Sequence, residues 1–453
     1  MAIMFQIPLD IPDVALLSTE VDAQGALLIK VESTLNTARC RRCGRETNRF
    51  HGYDQPIRLR HLPILEQTVY IELRPKRYQC PHCKGGPTTT QRCAWYTANS
   101  PHTQAFERWL LKCLINSTVQ DVSRKLAVGK AAVEGTLARW VSGTVDWRRF
   151  QRLETLGIDE IALRKGHDHF VTVISHRDEQ GKVVVLALLP NRLKDTVKAF
   201  LLSIPASLKA TLQRVCSDMY EGYTNAVCEA LPGVELVIDR FHVTQHYRAG
   251  VDHLRKKTLR ELKHTLSDEH YQPLKGLLWV FRRDWTVLKA DQQKQLLPLF
   301  ARAPELQQAY LLRNTLTLIF ETAPDKSTAQ QSLNRWRAAV VESGLSCFDG
   351  FLKTLDRWFE VITNYFHARH SSGFVEGLNN KLKVIKRRCY GLLDPVQFFR
   401  RIQLDLVGRT DFSGNLKTQH LVVDHGKSER AIIFATGAGT VDPNAHYLLL
   451  PLS

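Results

Sequence analysis

Between residues 155 and 240 the chain alternates short apolar runs with longer stretches of helical period. Leu156-Gly-Ile-Asp-Glu-Ile-Ala162, His169-Phe-Val-Thr-Val-Ile-Ser175 and Val183-Val-Val-Leu-Ala-Leu-Leu189 predict three strands; the last two form a hairpin through the turn Asp178-Glu-Gln-Gly-Lys182. An amphipathic helix is predicted over 195–204, a fourth strand over 212–217, a helix over 220–231 and a fifth strand over 234–238. The order is β-β-β-α-β-α-β. Residues 241–365 are almost wholly helical in pattern, with few Gly or Pro, and another helical stretch follows from Ser371.

That order predicts an α/β core of the ribonuclease-H-like fold, in which the first and fourth strands lie side by side and parallel. The expected domains are a zinc-binding domain (1–95), a helix-turn-helix domain (96–150), a catalytic domain (151–240 and 365–410), a helical insertion (241–364) and a tail (411–453), polar and irregular before an apolar end. The helix-turn-helix reading rests on the segment 118–140. Thr118 is a plausible N-cap, Val119, Val122 and Leu126 share one face, and Val133, Leu137 and Trp140 share another, with a break at Ala127-Val128-Gly129. Any two amphipathic helices joined tightly read alike. As a DNA reader the second helix enters a major groove, and Lys130 and Arg139 are its candidate contacts.

Charge sharpens the picture. Lys and Arg total 62 against 45 Asp and Glu, a formal net charge of +17, which makes nucleic acid the expected partner ahead of an anionic membrane. No apolar run approaches the roughly 18 residues of a membrane span, and residues 1–10 lack a basic leader. A cytoplasmic, nucleoid-associated location is expected. In a reducing compartment the ten cysteines are expected as metal ligands or buried thiols.

Four of them fall in two pairs, Cys40-Arg-Arg-Cys43 and Cys80-Pro-His-Cys83. A C-x-x-C turn brings two thiolates to one metal, so two such turns complete a tetrahedral Zn²⁺ site, closed and therefore structural. His51, His61 and His82 are read as bystanders, and Cys93 and Cys113 as structural. Arg41, Arg42, Arg45, Arg74, Lys76, Arg77 and Lys84 surround the pairs and are either phosphate contacts or a solvated basic face.

Asp159 lies in the first predicted strand and Asp218 at the end of the fourth, where open α/β sheets present ligands. Two carboxylates there suit hard Mg²⁺ (or Mn²⁺). Glu160 faces the other way by strand alternation. Asp218 is alternatively the cap of the next helix, and Asp239, in Asp239-Arg-Phe-His-Val243, competes for its role. In Ser371-Ser-Gly-Phe-Val-Glu-Gly-Leu-Asn-Asn-Lys-Leu-Lys-Val-Ile-Lys-Arg-Arg388, helical spacing puts Glu376, Asn380, Lys383 and Arg387 on one stripe and Val375, Leu378, Leu382 and Ile385 opposite. Glu376 is a candidate third metal ligand or a first-turn acid complementing the helix dipole. Lys383 and Arg387 are candidate DNA contacts, and Gly377 leaves room for a close approach. His242, His367 and His370 flank the region; His242 and His370, with Asp239, form a second tier of candidates.

Taken in order, the four-Cys motif, the helix pair, Gly-Ile-Asp-Glu, Ser-Asp-Met, Asp-Arg-Phe-His and Ser-Gly-Phe-Val-Glu-Gly-Leu-Asn-Asn-Lys resemble a bacterial insertion-sequence transposase of the DDE class, ISL-three type, from about Cys40 to Ile402. The family often has Asn where Ser372 or Gly373 stands. The resemblance implies that Asp159, Asp218 and Glu376 form a DDE triad holding two divalent metals. It implies that the helical stretch is an insertion before the last acid. The substrates are then double-stranded DNA, namely terminal inverted repeats and target, bound by a homodimer or higher oligomer. The alternatives are a DNA-binding protein derived from a transposase without catalysis, and a metal-dependent nuclease.

Overall fold

The computed structural model describes residues 3–9, 11–163, 170–178, 181, 183–369, 373–390, 392 and 394–412, with backbone alone at 3–8, 368, 373–376, 419–423, 432–436 and 447–452. The chain divides into two units, 142–402 and 1–141 with 403–453.

The larger unit is built on a five-stranded sheet of β1 (Thr155–Ala162), β2 (Phe170–Arg177), β3 (Val183–Leu189), β4 (Arg214–Ser217) and β5 (Glu235–Ile238), in the spatial order β3-β2-β1-β4-β5. The first three strands are antiparallel, and β4 and β5 continue the sheet in parallel with β1. The β2–β3 turn uses Gly181, which adopts φ +80° and donates to the Asp178 carbonyl at 2.9 Å. Two helices, α1 (Lys194–Ser203) and α2 (Glu221–Ala230), connect the later strands. Leu156, Ile158 and Val215 pack with Val197 and Leu201 of α1 and with Tyr223 and Val227 of α2, all essentially buried. Burying each such aliphatic side chain contributes about 1.5–3 kcal/mol relative to exposure.

After β5 the chain is helical, as its pattern predicts. The long helix α3 (Arg240–Thr265) is followed by shorter segments and by helices Pro304–Thr322, Lys326–Ser343 and Asp349–Thr363. They enclose a core of their own around Tyr310, Phe320, Leu333 and Phe348, which reaches β5 through Val237 and Ile238. A Cβ at Gly250 of α3 would stand 2.1 Å from the Cys347 carbonyl, so only glycine admits this contact. The unit also holds α4 (Gly373–Arg388), whose Leu378, Leu382 and Ile385 are buried while Asn380, Lys383 and Arg387 are exposed, as the helical period requires. No helix among the described residues is long and apolar enough to cross a membrane.

In the smaller unit, strands Val14–Val21, Leu27–Ser33, Gln67–Leu73 and Ile57–Ile64 form a sheet around Ile29, Val69 and Ile71. Each C-x-x-C pair sits at the turn of a small hairpin, the first between Ala38–Arg39 and Glu46–Thr47, the second between Lys76–Gln79 and Thr88–Thr90. Helices Gln104–Leu114, Val119–Lys125 and Lys130–Trp140 pack around Phe106, Leu110, Val122, Val133 and Leu137. Thr118 caps the second of them, accepting from the Asp121 amide at 2.9 Å. The tail departs from the irregular expectation. Gln419–Val423, Ile432–Thr436 and Tyr447–Leu452 join Ile3–Pro8 in a four-stranded sheet, a role the β-branched residues of the first two favour.

Glu107 is fully buried in this unit; its carboxylate accepts from Ser100 Oγ at 2.7 Å, from Trp140 Nε1 at 2.6 Å and from the Arg139 guanidinium. Arg139, expected to face DNA, is thus engaged inside its own domain, because a buried carboxylate must be paired and hydrogen-bonded. Glu107→Ala leaves three donors unmatched. It is expected to cost about 3 kcal/mol, the low end for breaking a buried pair because Arg139 remains partly solvated. Chemical denaturation of the variant checks this, and a midpoint equal to wild type would contradict it.

Candidate active site

The register of the sheet brings two acids together. Ile158 of β1 pairs with Ser217, the last residue of β4, so the next residues, Asp159 within β1 and Asp218 just past β4, emerge at neighbouring positions. Ser217 pairs in turn with Ile238 of β5, which brings Asp239 to the same level. The three acids then diverge. Asp239 turns inward, 5% exposed, and caps α3 by accepting from the Phe241 amide at 3.0 Å. The helix after β4 has Tyr220 at its N-cap position, without a side-chain cap. Asp218 therefore does not cap α2, whereas Asp239 does cap α3.

Asp159, Asp218 and His242 can offer ligand atoms within 4.8 Å of one another. His242, in the first turn of α3, lies with Nε2 2.7 Å from Asp218 Oδ1 and 3.9 Å from Asp239 Oδ2. Asp159 accepts from the Glu160 amide at 2.6 Å and, through its other oxygen, from the Asn379 side-chain amide. Glu160 faces the opposite side of the sheet, as alternation predicts. It accepts from Tyr223 Oη at 2.9 Å and lies 3.6 Å from Arg192.

Two carboxylates this close repel. Burial, and then the charge of Asp218, pushes the Asp159 pKa up to about 6. Burial works against a charge on His242, but the hydrogen bond and charge of Asp218, with Asp239 and Asp159 beyond it, raise its pKa. This is the electrostatic signature of a site that gains from a cation. The donor set fits a divalent metal: two carboxylate oxygens, an imidazole nitrogen, and beside them the Asn379 Oδ1 atom, buried and without a hydrogen-bond partner among the described residues.

The other predicted residues are placed as follows. Glu376 lies in the first turn of α4, and its side chain is outside the described residues, as is the whole of His370. Lys383 and Arg387 are exposed on the outer face of α4. A Cβ at Gly377 would meet nothing within 4 Å among the described residues. His367 pairs with Glu235. Asn379 was missed by the sequence reading, which singled out Asn380. The available signal was its place on the helix, at the border between the buried face and the polar stripe.

In the smaller unit Cys40, Cys43, Cys80 and Cys83 converge, with Sγ–Sγ distances of 3.9 Å for Cys40–Cys83 and 3.7 Å for Cys43–Cys80. Four sulfurs at about 2.3 Å around a tetrahedral Zn²⁺ would lie about 3.8 Å apart, so the cluster fits structural zinc. Backbone amides of Cys43 and Arg42 point at Cys40 and lower its pKa to about 6, favouring the thiolate that binds metal. His61 is bonded to Thr103 instead, and Cys93 belongs to the sheet core. Lys130 is exposed at the start of its helix.

Known proteins match these features. The profile described as Transposase, of the ISL3 DDE class, matches residues 156–402, and one described as zinc-finger of transposase IS204/IS1001/IS1096/IS1165 matches residues 36–83. The chain is 29% identical over 398 residues to the transposase for insertion sequence element IS1001 of Bordetella parapertussis, covering 87% of this chain and 94% of that one. It is 24% identical over 396 residues to the transposase for IS1557 of Mycobacterium tuberculosis, covering 82% and 86%. Among solved structures, the Drosophila P element transposase strand transfer complex aligns with a TM-score of 0.37 at 14% identity, covering 70% of this chain and 93% of that one. With one profile spanning more than half of the sequence and a second on the cysteine domain, the chain belongs to the ISL3 family of insertion-sequence transposases.

Proposed function

We propose that the chain cleaves the ends of an insertion sequence and joins them to target DNA, using Asp159, Asp218 and Glu376 as a DDE triad on a ribonuclease-H-like core. The observation that carries this reading is the meeting of Asp159, within β1, and Asp218, at the end of its parallel neighbour β4. Glu376 is supported by its place three residues before Asn379, which bonds Asp159. Residues three apart in a helix share a face. Gly377, which has no side chain, suits the close approach of DNA.

When bound, two Mg²⁺ (or Mn²⁺) ions would activate water or a 3′-hydroxyl and stabilise the leaving oxygen. The residues' task is to hold them. Asp159 and Asp218 supply hard oxygen ligands, His242 steadies Asp218 by its hydrogen bond, and Asn379 fixes the rotamer of Asp159. No side-chain nucleophile is required. Lys383 and Arg387, exposed on the helix that carries Glu376, are placed in this reading on the DNA backbone.

The zinc domain and the helices Val119–Lys125 and Lys130–Trp140 recognise the terminal inverted repeats in this proposal, the second helix as a helix-turn-helix reader with Lys130 at its leading end. Arg139, held by Glu107, supports that helix from inside. A homodimer or larger assembly brings two ends together. The deciding experiment incubates the chain and Mg²⁺ with DNA carrying the element's ends and a target plasmid. Nicking with joined products is expected, and nicking without joining would reduce the protein to a nuclease.

Asn379→Ala removes the amide that positions Asp159. Such supporting bonds are worth roughly 10–100-fold in metal affinity or activity. The expected result is a higher Mg²⁺ concentration for half-maximal nicking, with Asn379→Asp unable to substitute because it replaces the donor to Asp159 by another carboxylate that repels it. An unchanged Mg²⁺ titration would remove Asn379 from the site.

A further inference from the structure

The helix that supplies His242 continues far beyond the site. Its inner face is buried through Val243, Tyr247 and Val251, and the face opposite is exposed. At about 100° per residue, the stripe that starts at half-buried His242 continues through exposed His246, His253, Lys256, Arg260 and Lys263. No acid interrupts it. Of the two acids in the helix, Asp252 is turned aside to Arg255 and Arg282, and Glu261 lies off the stripe beside Lys257. Lys256 also lies 3.4 Å from Asp252, an exposed lysine in a pairing of little energy. From His242 to Lys263 the helix rises about 32 Å at 1.5 Å per residue. One turn of DNA duplex is about 34–36 Å.

We propose that this outer face of α3 is a track for the phosphate backbone of double-stranded DNA, guiding about one helical turn of duplex away from the carboxylates. The partner follows from the chemistry of the face: a rigid, evenly spaced line of cations and imidazoles, one end of it bonded to the candidate metal-binding Asp218. A polyanion with regularly spaced charges matches it. A protein partner would need apolar anchors, which the stripe lacks. The insertion thereby has a task beyond separating the second acid from the third. This inference rests on the proposed active site, since the track leads from it.

The test compares two variants with the same loss of charge. One carries Lys256→Gln, Arg260→Gln and Lys263→Gln on the track. The other carries Lys289→Gln, Lys294→Gln and Arg302→Gln, exposed positions elsewhere in the insertion. Both are made in the full chain in an Asp159→Asn background, so a 40-base-pair duplex stays uncut and binding is read without catalysis. Each phosphate contact contributes about 0.9 to the slope of log affinity against log salt. The track variant is expected to lose 2 to 3 units of slope and the control less than half a unit. Equal losses in both, or none in the track variant while its melting temperature is unchanged, would overturn the proposal. Failure of the active-site reading shows separately, as cleavage that survives Asp159→Asn alone.

Discussion

Replacing Asp159 by Asn is expected to lower Mg²⁺-dependent nicking of element-end DNA by about 10³-fold or more, since a lost metal ligand forfeits several kcal/mol of transition-state stabilisation and each 1.36 kcal/mol is tenfold. The same holds for Asp218→Asn. Protein stability separates this from unfolding, and the sign can be worked out. The folded-state pKa of Asp159, about 6, stands above the ordinary carboxyl value of 3.8. Its contribution to stability is full below about pH 3.8 and is lost as pH rises through about 6. At pH 8 the metal-free wild type therefore carries an unfavourable buried charge that Asp159→Asn lacks. The variant is expected to melt no lower than wild type without metal. Added Mg²⁺ should raise the melting temperature of wild type and leave the variant nearly unmoved. Nicking retained within tenfold, or an equal Mg²⁺ shift in both proteins, would place the metal elsewhere.

Losing zinc is expected to have the second large effect. Cys80→Ser breaks a cluster whose four sulfurs hold two hairpins that have little core of their own. Zinc binding in small domains supplies about 10–16 kcal/mol of apparent folding energy, far more than such hairpins can replace. The knuckle strands should unfold locally, while the sheet around Ile29, Val69 and Ile71 retains its own core. End-specific DNA binding should fall at least a hundredfold, and the Mg²⁺-dependent rise in melting temperature of the larger unit should persist. Electrophoretic mobility shifts with end and random duplexes, beside a zinc assay, read both outcomes. Specific binding by a zinc-free chain would refute a role for the knuckles in recognition.

The sheet was legible in the sequence because β1, β2 and β3 are dense in β-branched residues, and each expected strand lies within two residues of the observed one. Asp159 was legible for the same reason, as a polar residue inside such a run. The division of labour between Asp218 and Asp239 was not, because both follow short apolar strands and precede helices. Only the rotamers, one capping α3 and one meeting His242, distinguish them. The ion pair of Arg139 was not legible, because its buried partner, Glu107, lies 32 residues earlier. Asn379 was hidden by the same non-locality. Its hydrogen bond to Asp159 spans 220 residues, a separation that no local pattern encodes.

That span also orders events in time. Contacts between distant residues must wait for the intervening chain to fold, since closing a long loop precedes any gain from it. The insertion has its own core and can fold first, bringing α4 back to β1 as the last part to dock. A growing chain that has emerged as far as residue 365 already holds the knuckles, the three helices and both aspartates, yet neither Asn379 nor Glu376, and it lacks Leu404 and Phe412 of the three-helix core. On this reading it can grip DNA before it can cut it. A chain halted within the insertion would occupy the element's ends without mobilising them, and would compete with intact copies for the same sites.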